Sequence, residues 1–120
     1  MNRITPFLWF DTQAEEAARY YVSIFPGARL GTVTPFPAGG RGPEGSCMTA
    51  SFTLGGDEIV ALNGNRRHAF SPASSLYYAC ETAAEAEAIT DKLAAGGERQ
   101  FGGWLVDKYG VSWQVAARER

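Results

Sequence analysis

The apolar positions of this chain follow two periods, and their alternation is written twice. Ile4–Thr5–Pro6–Phe7–Leu8–Trp9–Phe10 is an apolar run of strand length, closed by Asp11–Thr12. Pro6 within it indicates a sheet edge or an early bulge, since proline cannot donate to a ladder. Ala14, Ala17, Ala18, Tyr21 and Phe25 then recur at helical spacing as one stripe. Thr12 and Glu15 have the spacing of a capping box, and Pro26–Gly27 ends the pattern, so a helix is predicted over 12–25. Three strands follow: Arg29–Phe36, Ser46–Leu54 and Glu58–Asn63. The second and third are joined by Gly55–Gly56 as a hairpin. Pro37–Gly45, rich in Gly and Pro, reads as a mobile loop.

The second half repeats the order. Ser74–Cys80 reads as a strand, and Thr82–Ala83–Ala84–Glu85 as a second capping box. Ala86, Ile89 and Leu93 form a second stripe, and Gly96–Gly97 is a stop. This predicts a helix over 82–95. A short strand around Arg99–Gln100–Phe101 precedes a hairpin, Gly103 to Val115, that turns at Asp107–Lys108–Tyr109–Gly110. There Asp107 can bond its own backbone and Gly110 can take a positive φ. In the last strand Val111, Trp113 and Val115 share one face, and Ser112 and Gln114 the other. Gln114 is then either a plainly exposed hairpin residue or a polar group with a task.

The order βαβββ thus occurs twice, and one such half cannot cover its own sheet. The expected fold is α+β: two βαβββ modules, about 1–64 and 73–120, in a single domain spanning 1–120. Each forms a curved, mixed four-stranded sheet with its helix outside, around a cavity. The residues between, with Arg66, Arg67 and His68, read as a solvated connector.

Composition narrows the function. At 120 residues and 45% hydrophobic content the chain suits one core. A net charge of −2 gives no electrostatic case for nucleic acid or an anionic membrane. No apolar run approaches the roughly 20 residues of a membrane span, and Met1–Asn2–Arg3–Ile4 lacks the long apolar core of a signal peptide. Cys47 and Cys80 are too few for a disulfide scaffold and read as inert core thiols in a cytoplasmic protein. A single histidine, His68, excludes a multi-histidine metal site within one chain. Arg41 sits among glycines, but the Gly-Lys-Ser/Thr and helix of a phosphate loop are absent, so that segment reads as a hairpin tip.

Several motifs carry a resemblance. Ile4–Thr5–Pro6–Phe7–Leu8–Trp9–Phe10–Asp11, Ala14–Glu15–Glu16–Ala17, Tyr20–Tyr21–Val22–Ser23–Ile24–Phe25, Ala61–Leu62–Asn63–Gly64, Cys80–Glu81–Thr82 and the run from Gly103 to Val115 are together similar to the PhnB-like family. That family is often labelled a 3-demethylubiquinone 3-methyltransferase domain. Paired βαβββ modules more broadly resemble the vicinal-oxygen-chelate superfamily, with glyoxalase I, extradiol dioxygenases and fosfomycin-resistance proteins. The family often has Cys before Gly-Trp-Leu; here it is Gly102, so any role for that thiol is lost. The methyltransferase label fits poorly. A Rossmann-type enzyme needs a parallel sheet and a glycine-rich strand-to-helix turn, whereas Phe10–Asp11–Thr12 enters its helix without glycine.

The resemblance also implies metal-ligand positions. One lies seven residues before the acidic residue preceding each helix, which gives Ile4 and Ser74. Another lies four after the final turn glycine, which gives Gln114, and the matching place in the first copy is Val60 to Leu62. Isoleucine cannot bind metal, serine seldom does, and an amide is a weak ligand. The expectation is the fold without the chelate: no metal and no cofactor.

If those positions face inward, alternation also turns Ile4, Pro6, Leu8 and Phe10 into the hollow. In the second module it turns in Ser74, Leu76, Tyr78 and Cys80, with Ser112 and Gln114. Phe7, Trp9, Tyr77 and Ala79 would lie under the helices. The candidate ligand-binding residues are therefore Gln114, Ser112, Leu8, Phe10, Ser74, Leu76 and Tyr78. A hollow of this kind suits a small hydrophobic ligand; the same side chains can equally fill a core or a homodimer interface. Two functions stay open: a binding or sequestering protein, and a metal-independent enzyme using Gln114, Tyr78 or Cys80. No nucleophile–base pair falls on the inferred inner face, which favours binding.

Overall fold

A computed structural model describes residues 4–118; Met1–Asn2–Arg3, read above for a signal peptide, lie outside the described residues. The chain divides after Ala69 into two compact units.

The first unit holds β1 (Phe7–Phe10), α1 (Ala14–Ile24), β2 (Arg29–Pro35), β3 (Cys47–Leu54) and β4 (Asp57–Asn63). Its sheet has the order β1-β4-β3-β2, with β1 parallel to β4 and the other pairs antiparallel. β1 starts just after Pro6 and lies at the sheet edge, where the missing N–H costs nothing. Gly55 and Gly56 join β3 to β4 with φ of 59° and 88°, the pair of positive values that a two-residue hairpin demands.

α1 sets its stripe of Ala14, Ala17, Ala18, Tyr21 and Ile24 against the sheet, all buried. The alanines permit close approach, and the Tyr21 ring meets Phe52 of β3 at 5.7 Å. The start of α1 differs from expectation. Gln13, not Thr12, occupies the N-cap, and it makes no capping bond. The cap comes from β4: Asn63 Oδ1 accepts from Ala14 N at 2.8 Å, while Asn63 Nδ2 donates to the Cys47 carbonyl at 3.0 Å. A side chain 49 residues away has replaced the local box.

The second unit repeats the plan with β5 (Leu76–Cys80), α2 (Ala83–Leu93), β6 (Glu98–Arg99), β7 (Trp104–Val106) and β8 (Ser112–Ala117), a short 3₁₀ turn lying at Phe101–Gly103. The order β5-β8-β7-β6, with β5 parallel to β8, matches the first sheet position for position. Here the Thr82 cap forms: Thr82 Oγ1 accepts from Glu85 N at 3.1 Å, and Glu85 Oε1 reaches back to accept from Glu81 N, the residue before the N-cap, at 3.1 Å. The fold is α+β, built of two similar βαβββ modules.

The hairpin of the second module turns about a buried carboxylate. Asp107 Oδ1 accepts from Tyr109 N at 2.8 Å and from Val111 N at 3.1 Å, and Oδ2 accepts from Trp113 Nε1 at 2.9 Å. Gly110 takes φ 94°. The carboxylate is removed from water but saturated with N–H donors, which is what makes its burial tolerable.

Candidate functional site

Cross-strand partners share a sheet face, so the ladder registers assign the paired strand residues to a side; Met48, at a register shift between β2 and β3, is not among them. In the first module Leu8 pairs with Ala61, and Ala61 with Ala50. Two residues along β3 from Ala50 is Phe52, which touches Tyr21 of α1. Leu8 and Phe10 therefore lie on the helix-covered face, where both are buried. Phe7 and Trp9 occupy the open face. This reverses the expectation that Leu8 and Phe10 face a hollow with Trp9 under the helix. Alternation tells which residues share a face; it does not tell which face the helix covers.

The second module reverses in the same way. Leu76 and Tyr78 pair with Trp113 and Val115, both buried, whereas Tyr77 and Trp104, beside Gln114 on the other face, are exposed. Gln114 pairs with Tyr77 on one side and Trp104 on the other. Gln114 thus shares a face with Tyr77 and Trp104, and not with Leu76 and Tyr78 as grouped from the sequence. It is half-buried, and its Nε2 donates a long bond, 3.5 Å, to the Gly102 carbonyl. Ser112 is buried and its hydroxyl has no partner among the described residues. Ser74 precedes β5 in an exposed turn.

The thiols are quiet. Burial, followed by the charge and hydrogen bond of Glu85, pushes Cys80 from 9.0 up to about 11. Burial, with Glu15 behind it, raises Cys47, and burial also raises Tyr78. All three stay protonated near neutrality, which makes each a poor nucleophile.

The open face of the first sheet holds a cavity of about 390 Å³. Its floor is the row Trp9–Leu62–Thr49, set side by side by the β1–β4–β3 register. Met48, Phe36 and Pro37 add apolar wall. Trp9 is held on several sides: its Nε1 donates to the Asn65 carbonyl at 2.9 Å, and the His68 ring stands edge-on at 4.9 Å. Gly64 lies so close to the indole that an added Cβ would run into it. The roof loop is anchored by Phe36, whose N donates to Ser46 O at 2.8 Å and whose carbonyl accepts from Gly45 N at 3.0 Å.

Polar groups in the cavity are few. The Asn63 amide is engaged with Ala14 and Cys47. Thr49 offers a hydroxyl, and Arg41 is the only charged residue among the described residues that line the space. Among the described residues no three His, Cys, Asp or Glu side chains gather as a metal-ligand set. Such a wall can hold and orient an apolar molecule; it presents no nucleophile beside a base.

Sequence reasoning named none of the cavity residues as ligand groups. The available signal was the Pro37–Gly45 insertion, present in the first copy and missing from the second, at the loop that roofs the cavity.

A family model described as 3-demethylubiquinone-9 3-methyltransferase matches residues 2–116. A solved structure described as a PhnB protein from Bacillus cereus is 39% identical, covers 97% of this chain and 100% of its own, and superposes with a TM-score of 0.84. The structure of protein PA1353 from Pseudomonas aeruginosa is 23% identical over 99% of this chain and 100% of its own, with a TM-score of 0.80. An Arabidopsis thaliana gene product is 18% identical over 98% and 99%, with a TM-score of 0.63. The last two, at their low identities, speak to the fold alone. No protein with a curated description matches this chain.

Proposed function

The chain belongs to the family described as 3-demethylubiquinone-9 3-methyltransferase, with a PhnB protein among its similar structures, and on that premise we propose that it binds a small hydrophobic molecule without a metal ion. The observation that carries this reading is the apolar cavity of about 390 Å³ on the open face of the first sheet. Its size falls near the lower end of small-molecule sites, roughly 300–1,000 Å³. Its wall is held by ladder pairing and by the fixed Trp9, so little ordering is lost on binding. The binding site therefore moves from the residues read in the sequence to Trp9, Met48, Thr49 and Leu62.

Methyl transfer, which the family description names, is not part of this reading. Both sheets mix one parallel pair with antiparallel ones. The β1–α1 junction, Asp11–Thr12–Gln13, has no glycine-rich turn for a nucleotide-like cofactor.

A metal of the kind the superfamily resemblance implies does not fit the donors. Ile4 has none, Ser74 is an exposed turn residue, and Gln114 offers only a neutral amide beside Tyr77 and Trp104. Binding is favoured over metal-independent catalysis because Cys80 and Tyr78 are held protonated and share a face away from Gln114.

We also propose a homodimer. Ile4 and Phe7 in the first unit, and Tyr77 and Phe101 in the second, are more than half exposed, apolar side chains that association would cover. A cytoplasmic location rests on the two unpaired thiols. No helix among the described residues is long and apolar enough to cross a membrane.

The test is native mass spectrometry and metal analysis of purified protein, with N-phenyl-1-naphthylamine titrated before and after chelator treatment. The reading expects substoichiometric metal, a dimer mass and dye binding that chelation leaves unchanged. Stoichiometric transition metal, or dye binding abolished by chelator, would overturn metal independence, and a monomer mass would overturn the dimer.

A further inference from the structure

Resting on the reading that this cavity binds a ligand, we infer that the ligand is an apolar, ring-bearing anion whose acid group is held by Arg41. The charge pattern carries the step. Arg41 lines the cavity with no acidic residue beside it among the described lining residues, and it takes part in none of the ion pairs found among the described residues. Glu44, further along the loop, is exposed and does not line the space. Arg66 is already occupied by Asp11 at 3.0 Å.

The loop presents Arg41 alone. In Gly39–Gly40–Arg41–Gly42 no other residue has a side chain, and packing enforces this at two of the glycines. A Cβ on Gly42 would collide with the Phe36 ring, and one on Gly40 would crowd the Pro37 carbonyl at 3.1 Å. Phe36, buried against that glycine, ties the loop to the cavity wall. The result is one cation, exposed to solvent, on the loop that lines an apolar cavity with Trp9, Leu62 and Met48.

A ligand that seats on this floor draws water away from the guanidinium. A cationic ligand would meet a like charge with no acid among the lining residues to offset it, and a neutral one would gain no charge-assisted bond from the guanidinium fork. A carboxylate, sulfonate or phosphate can take two parallel N–H bonds from it.

Two dyes that share an anilinonaphthalene body test this on the full chain. 1-Anilinonaphthalene-8-sulfonate carries the acid group, and N-phenyl-1-naphthylamine lacks it. Fluorescence titrations should show the sulfonate binding about tenfold or more tighter than the neutral dye. Arg41→Gln should lose about that factor for the sulfonate and stay within about twofold for the neutral dye. Leu62→Trp and Thr49→Phe fill the floor and should weaken both dyes about tenfold, with thermal melts showing which variants remain folded. Equal binding of the two dyes, or an Arg41→Gln protein that keeps the sulfonate preference, overturns the anion inference and leaves the cavity reading standing. Failure of both dyes to bind, or binding unchanged in folded floor-filled variants, overturns the cavity reading itself.

Discussion

Replacing Asn63 by alanine should destabilise the protein by about 2 kcal/mol, although Asn63 is neither in a helix nor beside one in sequence. Its Oδ1 is the acceptor that caps α1 through Ala14 N at 2.8 Å, and its Nδ2 donates to the Cys47 carbonyl at 3.0 Å. Loss of an N-terminal cap costs about 1 kcal/mol. Loss of a part-buried amide–carbonyl bond costs about 1 kcal/mol more. For a chain of this length the sum corresponds to a fall in Tm of roughly 8 °C. Thr12→Ala is the control, because Thr12 lies in the sequence pattern of a capping box yet α1 takes its N-cap at Gln13 without a side-chain bond. It should change stability by less than about 0.5 kcal/mol. Thr82→Ala removes a cap that does form and should cost about 1 kcal/mol. Urea unfolding followed by far-UV circular dichroism, with the slope shared among variants, reads all three. The reasoning is refuted if Thr12→Ala costs as much as Thr82→Ala, or if Asn63→Ala costs less than about 0.5 kcal/mol.

Asp107→Ala strips the acceptor from Tyr109 N, Val111 N and Trp113 Nε1, and should cost about 3 kcal/mol with a shifted Trp113 emission; a loss under about 1 kcal/mol in the same urea assay would contradict the buried-carboxylate reading. Gly64→Ala forces the Trp9 indole to move and should cost about 1–3 kcal/mol while weakening binding of N-phenyl-1-naphthylamine, so an unchanged melt and titration would count against it. Cys80 has a folded pKa of about 11 against 9.0 ordinarily, so above pH 9 the unfolded chain releases a proton that the folded chain keeps. Its stability contribution is complete below that pH and declines toward 11; urea midpoints at about pH 8 and about pH 10.5 should fall more in the parent than in Cys80→Ala, and equal falls would refute the shift.

Much of the fold was legible because it rests on local rules. The two apolar stripes placed both helices within two residues at each end, and Gly55–Gly56 and Asp107–Gly110 marked their hairpins. The repeat of strand order in the two sheets follows from the repeat in the chain. Two things were hidden. Thr12–Glu15 and Thr82–Glu85 are the same local signal, yet only the second forms, because Asn63 reaches Ala14 N from β4. Tertiary structure overrode a local preference there. The site was hidden for a related reason. Period-two alternation groups Leu8 with Phe10 and Phe7 with Trp9, but the covered face is decided by where Tyr21 packs, a contact with Phe52 far along the chain. The cavity needs the Pro37–Gly42 loop folded over Trp9 and Leu62, and composition identifies that loop without saying where it goes.

The most direct measurement is an NMR titration of uniformly labelled protein with N-phenyl-1-naphthylamine. Saturable shifts at the Trp9 indole N–H, the Met48 methyl and the Thr49 and Leu62 amides are the predicted result. Shifts confined to Tyr77, Trp104 and Gln114 on the second sheet, or no saturable shift at all, would contradict the proposed cavity.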